Sequence, residues 1–320
     1  MIKGEEKSSP FLFRLRLKPC DLPGSLGSIE TLFSSYRNMH SANLQFGRYR
    51  FRFDRSSRPL VMGILNVTPD SFSDGGQFFS LEHALAHAEQ MIADGVDIID
   101  IGGESSRPGA ERLSVEEELR RVMPVLYALR DCGKPISVDT CKPEVMREAI
   151  VAGADMINDI NGFRAPGALS AVKEGDCALC IMHMLNDPRT MQIDPAYGDA
   201  VDDITAFLRE RAAAMEEAGI ERQRLCIDPG FGFGKTLEHN LALLRSLGRI
   251  GNTIGLPVLA GLSRKSMLGA ITGKPVERRL AASIAAALAA AAQGAAIVRV
   301  HDVAETVDAL KVWQAATQEK

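Results

Sequence analysis

A (β/α)8 barrel is the fold this chain predicts, and three observations predict it. From residue 60 onward, short apolar runs of strand length alternate with longer helical stretches, eight times over. Eight such units in about 250 residues have the size of one closed barrel. Polar residues follow nearly every apolar run instead of gathering at one crossing point, and no GxGxxG follows the first run, so an open doubly wound sheet is the weaker alternative. No internal repeat is detectable among the units, and their count rests on pattern alone.

The strand candidates are 60–65, 98–102, 135–139, 156–158, 178–182, 225–228, 257–260 and 296–300. Helical stretches lie between them at 81–94, 115–130, 143–152, 167–174, 200–218, 237–247 and 276–292, and a last one at 303–315 follows the eighth strand. Ahead of the barrel, residues 1–45 read as an extension, charged and Ser-rich at 1–10 and turn-rich at 19–27, with Met39 an alternative start. Poor order is expected there, although FLFRLRL at 11–17 alternates as a strand would. Residues 47–58, GRYRFRFDRSSR, predict a short hairpin capping a barrel domain of 46–316. Their basic and aromatic alternation would also suit a nucleic-acid strand, but the patch is short.

Composition narrows the classes. With 320 residues, 46% of them hydrophobic, the chain can bury a substantial core. A net charge of −4 gives no general attraction to nucleic acid or to an anionic membrane. Six scattered cysteines without a secretory leader predict a reduced, cytoplasmic protein. No segment reaches the roughly 18 apolar residues of a membrane span; the alanine-rich 280–292 is too short and reads as a buried helix.

The stretch 60–76, LVMGILNVTPDSFSDGG, anchors the functional argument. It is an apolar strand that breaks into a loop rich in oxygen and amide groups, the layout in which α/β proteins keep their chemistry. An ordinary turn would use the same residue types. The remaining strand ends decide between the two. After the first strand come Asn66, Asp70 and Asp74; after the second GGESSRPG, with Ser106, Arg107 and Pro108. The third ends at Asp139, the fourth at Asn158 and Asp159, the fifth in Met182–His183–Met184, and the sixth in DPGFGFGK, 228–235. GLSRKS, 261–266, follows the seventh, and Arg299–Val300–His301 closes the eighth. Arg107, Arg264, Lys265, Arg299 and His301 would converge at the barrel mouth, where Arg forks and a Lys point charge suit phosphate. Asp139, Asn158 and Asp228 are buried acceptors and amides that suit a flat heterocycle with paired donors and acceptors.

In this order the motifs resemble dihydropteroate synthases, over residues 47 to about 316. The resemblance implies a transferase that joins 6-hydroxymethyl-7,8-dihydropterin diphosphate to p-aminobenzoate and releases pyrophosphate with Mg2+. It implies that Asp139, Asn158, Asp228 and Lys265 bind the pterin, with Met182, Phe233 and Gly261 around it. Arg299 would pack on the ring and, with His301 and Asn66, hold the diphosphate and its Mg2+. Ser106, Arg107, Pro108, Phe72 and Ser266 would form the p-aminobenzoate end, and catalysis would fall to Arg299, His301, Lys265 and Asp74. It also implies homodimers through the last helices and competitive inhibition by sulfonamides. Two departures stand out: Ser105–Ser106–Arg107 where the family commonly has Ser-Thr-Arg, and Leu262 where Thr or Val is common. A related pterin-binding methyltransferase domain, or a non-catalytic protein on the same barrel, would lack a use for the diphosphate residues.

Three signals carry less. GFGFGKT at 230–236 looks like a phosphate loop, but Pro229 stands where that pattern needs Gly. Cys177 and Cys180, three apart on a strand, would face opposite sides, so they read as core thiols and not as a zinc or redox pair, Cys180 on the side open to the pterin pocket. His83 and His87 share a helix face without a third metal ligand, and His183 would either support the site or touch substrate.

Overall fold

The chain enters the barrel through a two-stranded antiparallel hairpin, β1 (Ala42–Phe46) and β2 (Tyr49–Phe53). The computed structural model describes residues 42–54, 57–67, 76–105, 112–185, 191–192 and 194–317, with the side chains of 76–80 excepted. The hairpin lies earlier than the expected 47–58, and its first strand starts ahead of residue 46, where the domain was expected to begin. Alternation sets this register: Leu44, Phe46 and Phe53 turn inward and are buried. The poor order expected of the extension falls, up to residue 41, outside the described residues. Gly47 makes the turn at φ +53°, and a Cβ there would stand 2.7 Å from Asp155 Oδ1, so the hairpin tip can meet the barrel only as glycine.

Eight parallel strands follow: β3 (Leu60–Asn66), β4 (Ile98–Gly102), β5 (Ile136–Asp139), β6 (Met156–Asp159), β7 (Ala178–Met182), β8 (Leu225–Asp228), β9 (Leu259–Ala260) and β10 (Ile297–Val300). Each pairs with the next from β3 to β8, and β10 pairs with both β3 and β9. A bridge between Ile227 and Val258 joins the two remaining edges, so the sheet closes into the expected (β/α)8 barrel. The seventh strand is shorter than the expected 257–260, because Pro257 has no N–H for the ladder and takes part only through its carbonyl, 3.0 Å from Ile227 N.

Ten α-helices cover the barrel among the described residues: α1 (Gly76–Ala93), α2 (Val115–Leu129), α3 (Pro143–Val151), α4 (Ala168–Val172), α5 (Ala200–Glu217), α6 (Leu237–Arg245), α7 (Leu247–Ile254), α8 (Ser266–Thr272), α9 (Leu280–Ala292) and α10 (Val303–Thr317). The expected helix at 237–247 is two, parted at Ser246. The one expected at 276–292 begins instead with a 3-10 turn, Val276–Arg278. Helix α8 has no counterpart among the expectations, since SRKS reads as loop chemistry while Ser266 already opens a helix. No described helix is long and apolar enough to cross a membrane.

Period two along the strands sorts the core. Val61, Ile99, Val138, Ile157, Leu179 and Val298 face the helices. Met62, Ile98, Met156, Cys180, Cys226 and Leu259 face inward at the amino-terminal end, where Leu44, Phe46 and Phe53 of the hairpin pack on them. That end is plugged with apolar side chains, so inward-facing polar residues are confined to the carboxyl end. Cys177 belongs to the outer layer and Cys180 to this inner one, on opposite sides as expected. Cys180 sits beside Cys226 of β8 in the inner apolar cluster, a core thiol as expected, in register with Asn158 of β6.

Asp155 ties plug to barrel. Its buried carboxylate accepts from Arg48 Nε at 3.0 Å, Arg48 Nη2 at 3.1 Å and Ile136 N at 3.0 Å. Asp155→Ala, which strands the buried Ile136 N–H, is expected to cost about 2–3 kcal/mol in urea unfolding. Catalytic rates of the variant, measured where it is folded, should stay near wild type because the chemistry lies at the other end.

Candidate active site

The polar strand ends meet inside the carboxyl end of the barrel, around Arg299 on β10. Its Nε donates to Asp100 Oδ2 at 2.6 Å, and its Nη2 donates to Asp139 Oδ2 at 2.9 Å. Burial works against this charge, but Asp100 and Asp139 more than offset it and hold the guanidinium above its usual range. Asp139 is in turn pushed up by burial, with Arg299 pulling against the shift. Asp100 is completely buried. It went unnoticed in the strand IIDIG, although one acid in an apolar run, on the same inward parity as Gly102, is itself a signal.

Asp228 ends β8 as a buried carboxylate whose Oδ1 accepts from Gly230 N at 2.7 Å. Burial raises its pKa, opposed by that N–H and by Lys265, Lys235 and Arg299. Gly230 has φ +71°, and a Cβ there would stand 1.9 Å from the His183 carbonyl oxygen, so only glycine brings the loop this close. A Cβ on Gly261 would lie 3.9 Å from both Arg299 Cβ and Asp228 Oδ2, which sets Gly261 between them. Asn158 is buried on β6, register-paired with Asp139, and its Oδ1 has no partner among the described residues. Asp100 Oδ1 and Ser137 Oγ, on neighbouring strands, are also buried and unpaired. Native interiors leave few such atoms unpaired, and polar groups of this kind discriminate strongly for a polar ring that pairs with them.

Lys265 lies at the entrance to α8 with its Nζ 4.1 Å from the centre of the Phe233 ring, a cation–π contact. Burial, and next Arg299, push its pKa down to about 8, against the pull of Asp228 and Asp139. Phe233 packs with Met182, Met184, Met191 and partly buried Ile160 into an apolar wall. Met184 closes the strand end already named, whereas Met191 carries no signal in the sequence, where methionine reads as ordinary core. His301 Nδ1 sits 3.0 Å from Ser263 Oγ, which also accepts from His301 N at 3.2 Å. Burial, then Arg299 and Arg264, depress this imidazole to about 4, so it is neutral near pH 7. Ser263 lies within the GLSRKS strand end, but its role as the partner of His301 is set by a contact at the barrel mouth that the sequence does not show.

One expected cation does not join. Arg264 is exposed and turns to Asp302, its Nε 3.2 Å from Oδ2, a surface ion pair beside the mouth instead of a free cation in it. Ser266 is exposed at the start of α8. Phe72, Asp74, Ser106, Arg107 and Pro108 lie outside the described residues. Asn66 is exposed at the end of β3, with its Oδ1 3.5 Å from where a Cβ on Gly102 would be. No group of three or more His, Cys, Asp or Glu suited to a metal occurs among the described residues. One hard amide oxygen at an open mouth fits Mg2+, which keeps waters and binds with substrate phosphates instead of in an all-protein cage.

The loop 228–235 is not a phosphate cradle. Its amides are spent internally, Gly230 N on Asp228 and Gly232 N on Asn240 Oδ1 at 2.8 Å. Lys235 turns inward, its Nζ 2.9 Å from the Phe233 carbonyl oxygen and 3.0 Å from His183 Nδ1. His183 is accordingly a support: buried, depressed to about 3 by burial and Lys235, and set edge-on to Phe207 at 4.9 Å. A groove of about 310 Å³ lined by Leu119, Met123, Tyr127, Glu144, Arg147 and Glu148 lies between α2 and α3 on the exterior, apart from this chemistry.

Burial lowers Lys235 from 10.5 to about 7, with Asp228 opposing and Lys265 assisting. Between those values the unfolded chain binds more protons than the folded one, so this group makes stability rise with pH. Urea unfolding of wild type and Lys235→Met should diverge in favour of wild type as pH goes from 7 to about 10. A constant difference would refute the assignment.

Comparison with known proteins agrees with this geometry. Residues 62–301 match the model of the pterin binding enzyme family. The dihydropteroate synthase of Haemophilus influenzae is 54% identical over 262 residues, 81% of this chain and 94% of that one. The Burkholderia cenocepacia dihydropteroate synthase complexed with 7,8-dihydropteroate superposes with a TM-score of 0.79 at 53% identity, over 87% of this chain and 98% of that one. The Xanthomonas albilineans enzyme with 4-aminobenzoic acid superposes with a TM-score of 0.81 at 51% identity, over 88% of this chain and all, 100%, of that one. With its barrel, its strand-end residues and these likenesses in agreement, the chain belongs to the pterin binding enzyme family, among the dihydropteroate synthases.

Proposed function

We propose that the site condenses 6-hydroxymethyl-7,8-dihydropterin diphosphate with p-aminobenzoate to give 7,8-dihydropteroate and pyrophosphate. One observation carries this most directly: a guanidinium held at 2.6 and 2.9 Å by two acids stands beside buried Asp228 and buried Asn158, whose Oδ1 has no partner among the described residues. A flat ring with an amide edge and an anionic tail uses both halves of that arrangement.

Asp228 accepts from the 2-amino and N3–H edge of the pterin, and Asn158 and Asp139 pair with the rest of its rim. Lys265 closes one side against Phe233 and Met182, above Gly261, while Arg299 packs on the ring face. The diphosphate lies toward Arg299, His301 and Asn66. Ser263 donating to Nδ1 leaves the neutral imidazole of His301 an Nε2–H for a diphosphate oxygen. Asn66 and substrate oxygens would hold Mg2+, which when bound would supply positive charge against the departing group. The carbon bearing the diphosphate is attached to an electron-rich dihydropterin, so its C–O bond ionises in an SN1-like step. The amine of p-aminobenzoate, held by Ser106, Arg107, Pro108, Phe72 and Ser266, then attacks that carbon and loses a proton. Asp74 completes the catalytic group from the first loop. Sulfonamides, shaped like p-aminobenzoate, compete for the same end.

The chain works in the cytoplasm, consistent with free thiols at Cys132, Cys141, Cys177, Cys180 and Cys226. It pairs as a homodimer through its last units, where Ile271, Val276 and Leu280 expose apolar surface at 54%, 42% and 38%. Ile271→Glu should shift sedimentation toward monomer; unchanged dimer would point to another face.

Pyrophosphate release that needs p-aminobenzoate and Mg2+ together tests the reaction, and release without the amine would contradict it. Arg299→Ala is expected to lower kcat/KM roughly 10- to 150-fold, the worth of a charge-assisted hydrogen bond in the transition state. A near-normal kcat/KM would remove Arg299 from the chemistry.

A further inference from the structure

We propose that Asp100 is a positioning residue: it fixes the Arg299 guanidinium in the barrel so that Asp139, the second carboxylate on the same group, can turn to substrate. This deepens the condensation proposed above and rests on it.

The two acids occupy different depths. Asp139 ends β5 in register with Gly102 of β4, so Asp100, two residues before Gly102 on the same inward parity, sits one layer deeper. Asp100 is completely buried, whereas the Asp139 side chain keeps 15% of its surface exposed at the mouth. Asp100 takes the inner Nε corner of the guanidinium at 2.6 Å, and Asp139 takes Nη2 at 2.9 Å. Between β10 and these acids runs β3, whose inward residues Met62 and Ile64 are apolar and leave Arg299 to bridge across. Arg299 is the only described hydrogen-bond partner of Asp100; the other oxygen, Oδ1, is buried and unpaired among the described residues.

Substrate that takes up Asp139 draws one of the two hydrogen-bonded carboxylates off Arg299. A guanidinium left alone in a low-dielectric interior is strongly unfavourable and would swing outward. Asp100, one layer deeper than Asp139, supplies counter-charge throughout and keeps the cation aimed where the leaving group's charge develops. Asp100 would therefore act on rate through Arg299, and Asp139 on pterin affinity.

A double-mutant cycle on the full-length enzyme tests this, reading pyrophosphate release with both substrates and Mg2+. Asp100→Asn should lower kcat about 10- to 150-fold, as loss of one charge-assisted bond would. The KM for p-aminobenzoate should move no more than about twofold. In an Arg299→Ala background the same change should cost no more than about twofold, because the residue it positions is gone. Full multiplication of the two losses, or equal rises in both KM values, would overturn the proposal. Asp139→Asn keeps the test decisive if Asp100→Asn fails to fold. It should raise the KM for the pterin diphosphate and cost kcat at least about tenfold less than Arg299→Ala. A kcat loss equal to that of Arg299→Ala overturns the division of roles. A wild-type chain that releases no pyrophosphate sinks the condensation itself, and this proposal with it.

Discussion

A permanently charged guanidinium inside a protein barrel needs counter-charge at close range, and much of this molecule follows from that need. Arg299 reaches from β10 across apolar β3 to Asp100 on β4 and Asp139 on β5. The pairing draws together strands that are not neighbours in sequence, the partners lying 199 and 160 positions apart. Neither acid would be tolerated in the interior without the cation, and the cation would not stay without the acids. The apolar plug of β1 and β2 at the opposite end completes the separation: one end of the barrel supplies stability, the other chemistry.

The same burial tunes the groups around the pair. Lys265 and Lys235 are pushed down toward neutrality, Asp139 and Asp228 up, and His183 and His301 far enough down to stay neutral near pH 7. Arg299 alone moves the other way, since its acids outweigh the loss of water. The result is a site with one firmly fixed positive charge and several groups whose charge is inexpensive to change, the arrangement in which binding a polar ring and an anion can be coupled. His301 shows how local the control is: a single serine hydroxyl at 3.0 Å orients its ring.

The loop 228–235 shows how a motif can be read for its chemistry and serve another purpose. Its glycines and lysine resemble a phosphate grip, yet Gly230 is there so the chain can pass the His183 carbonyl, and Lys235 is there to hold Phe233 and His183 from within. Phe233 is thereby fixed as the platform under Lys265. Conformational need and interior hydrogen bonding explain these residues more fully than contact with an anion does.

What the sequence determined by itself was the architecture and the identity of most polar strand ends. Strand length, apolar patterning and turn chemistry are local, so the eight strands, the helices between them and Asp139, Asn158, Asp228 and Arg299 could be named in advance. What only the tertiary structure decided was partnership. Asp100 is silent in IIDIG until β10 is brought across to meet it, and Arg264 looks like a free cation of the barrel mouth until Asp302 claims it. The hairpin register and the break at Ser246 were likewise settled by packing against the barrel. Periodicity reports which side of an element a residue faces, whereas the group waiting there comes from another part of the chain and depends on closure of the sheet.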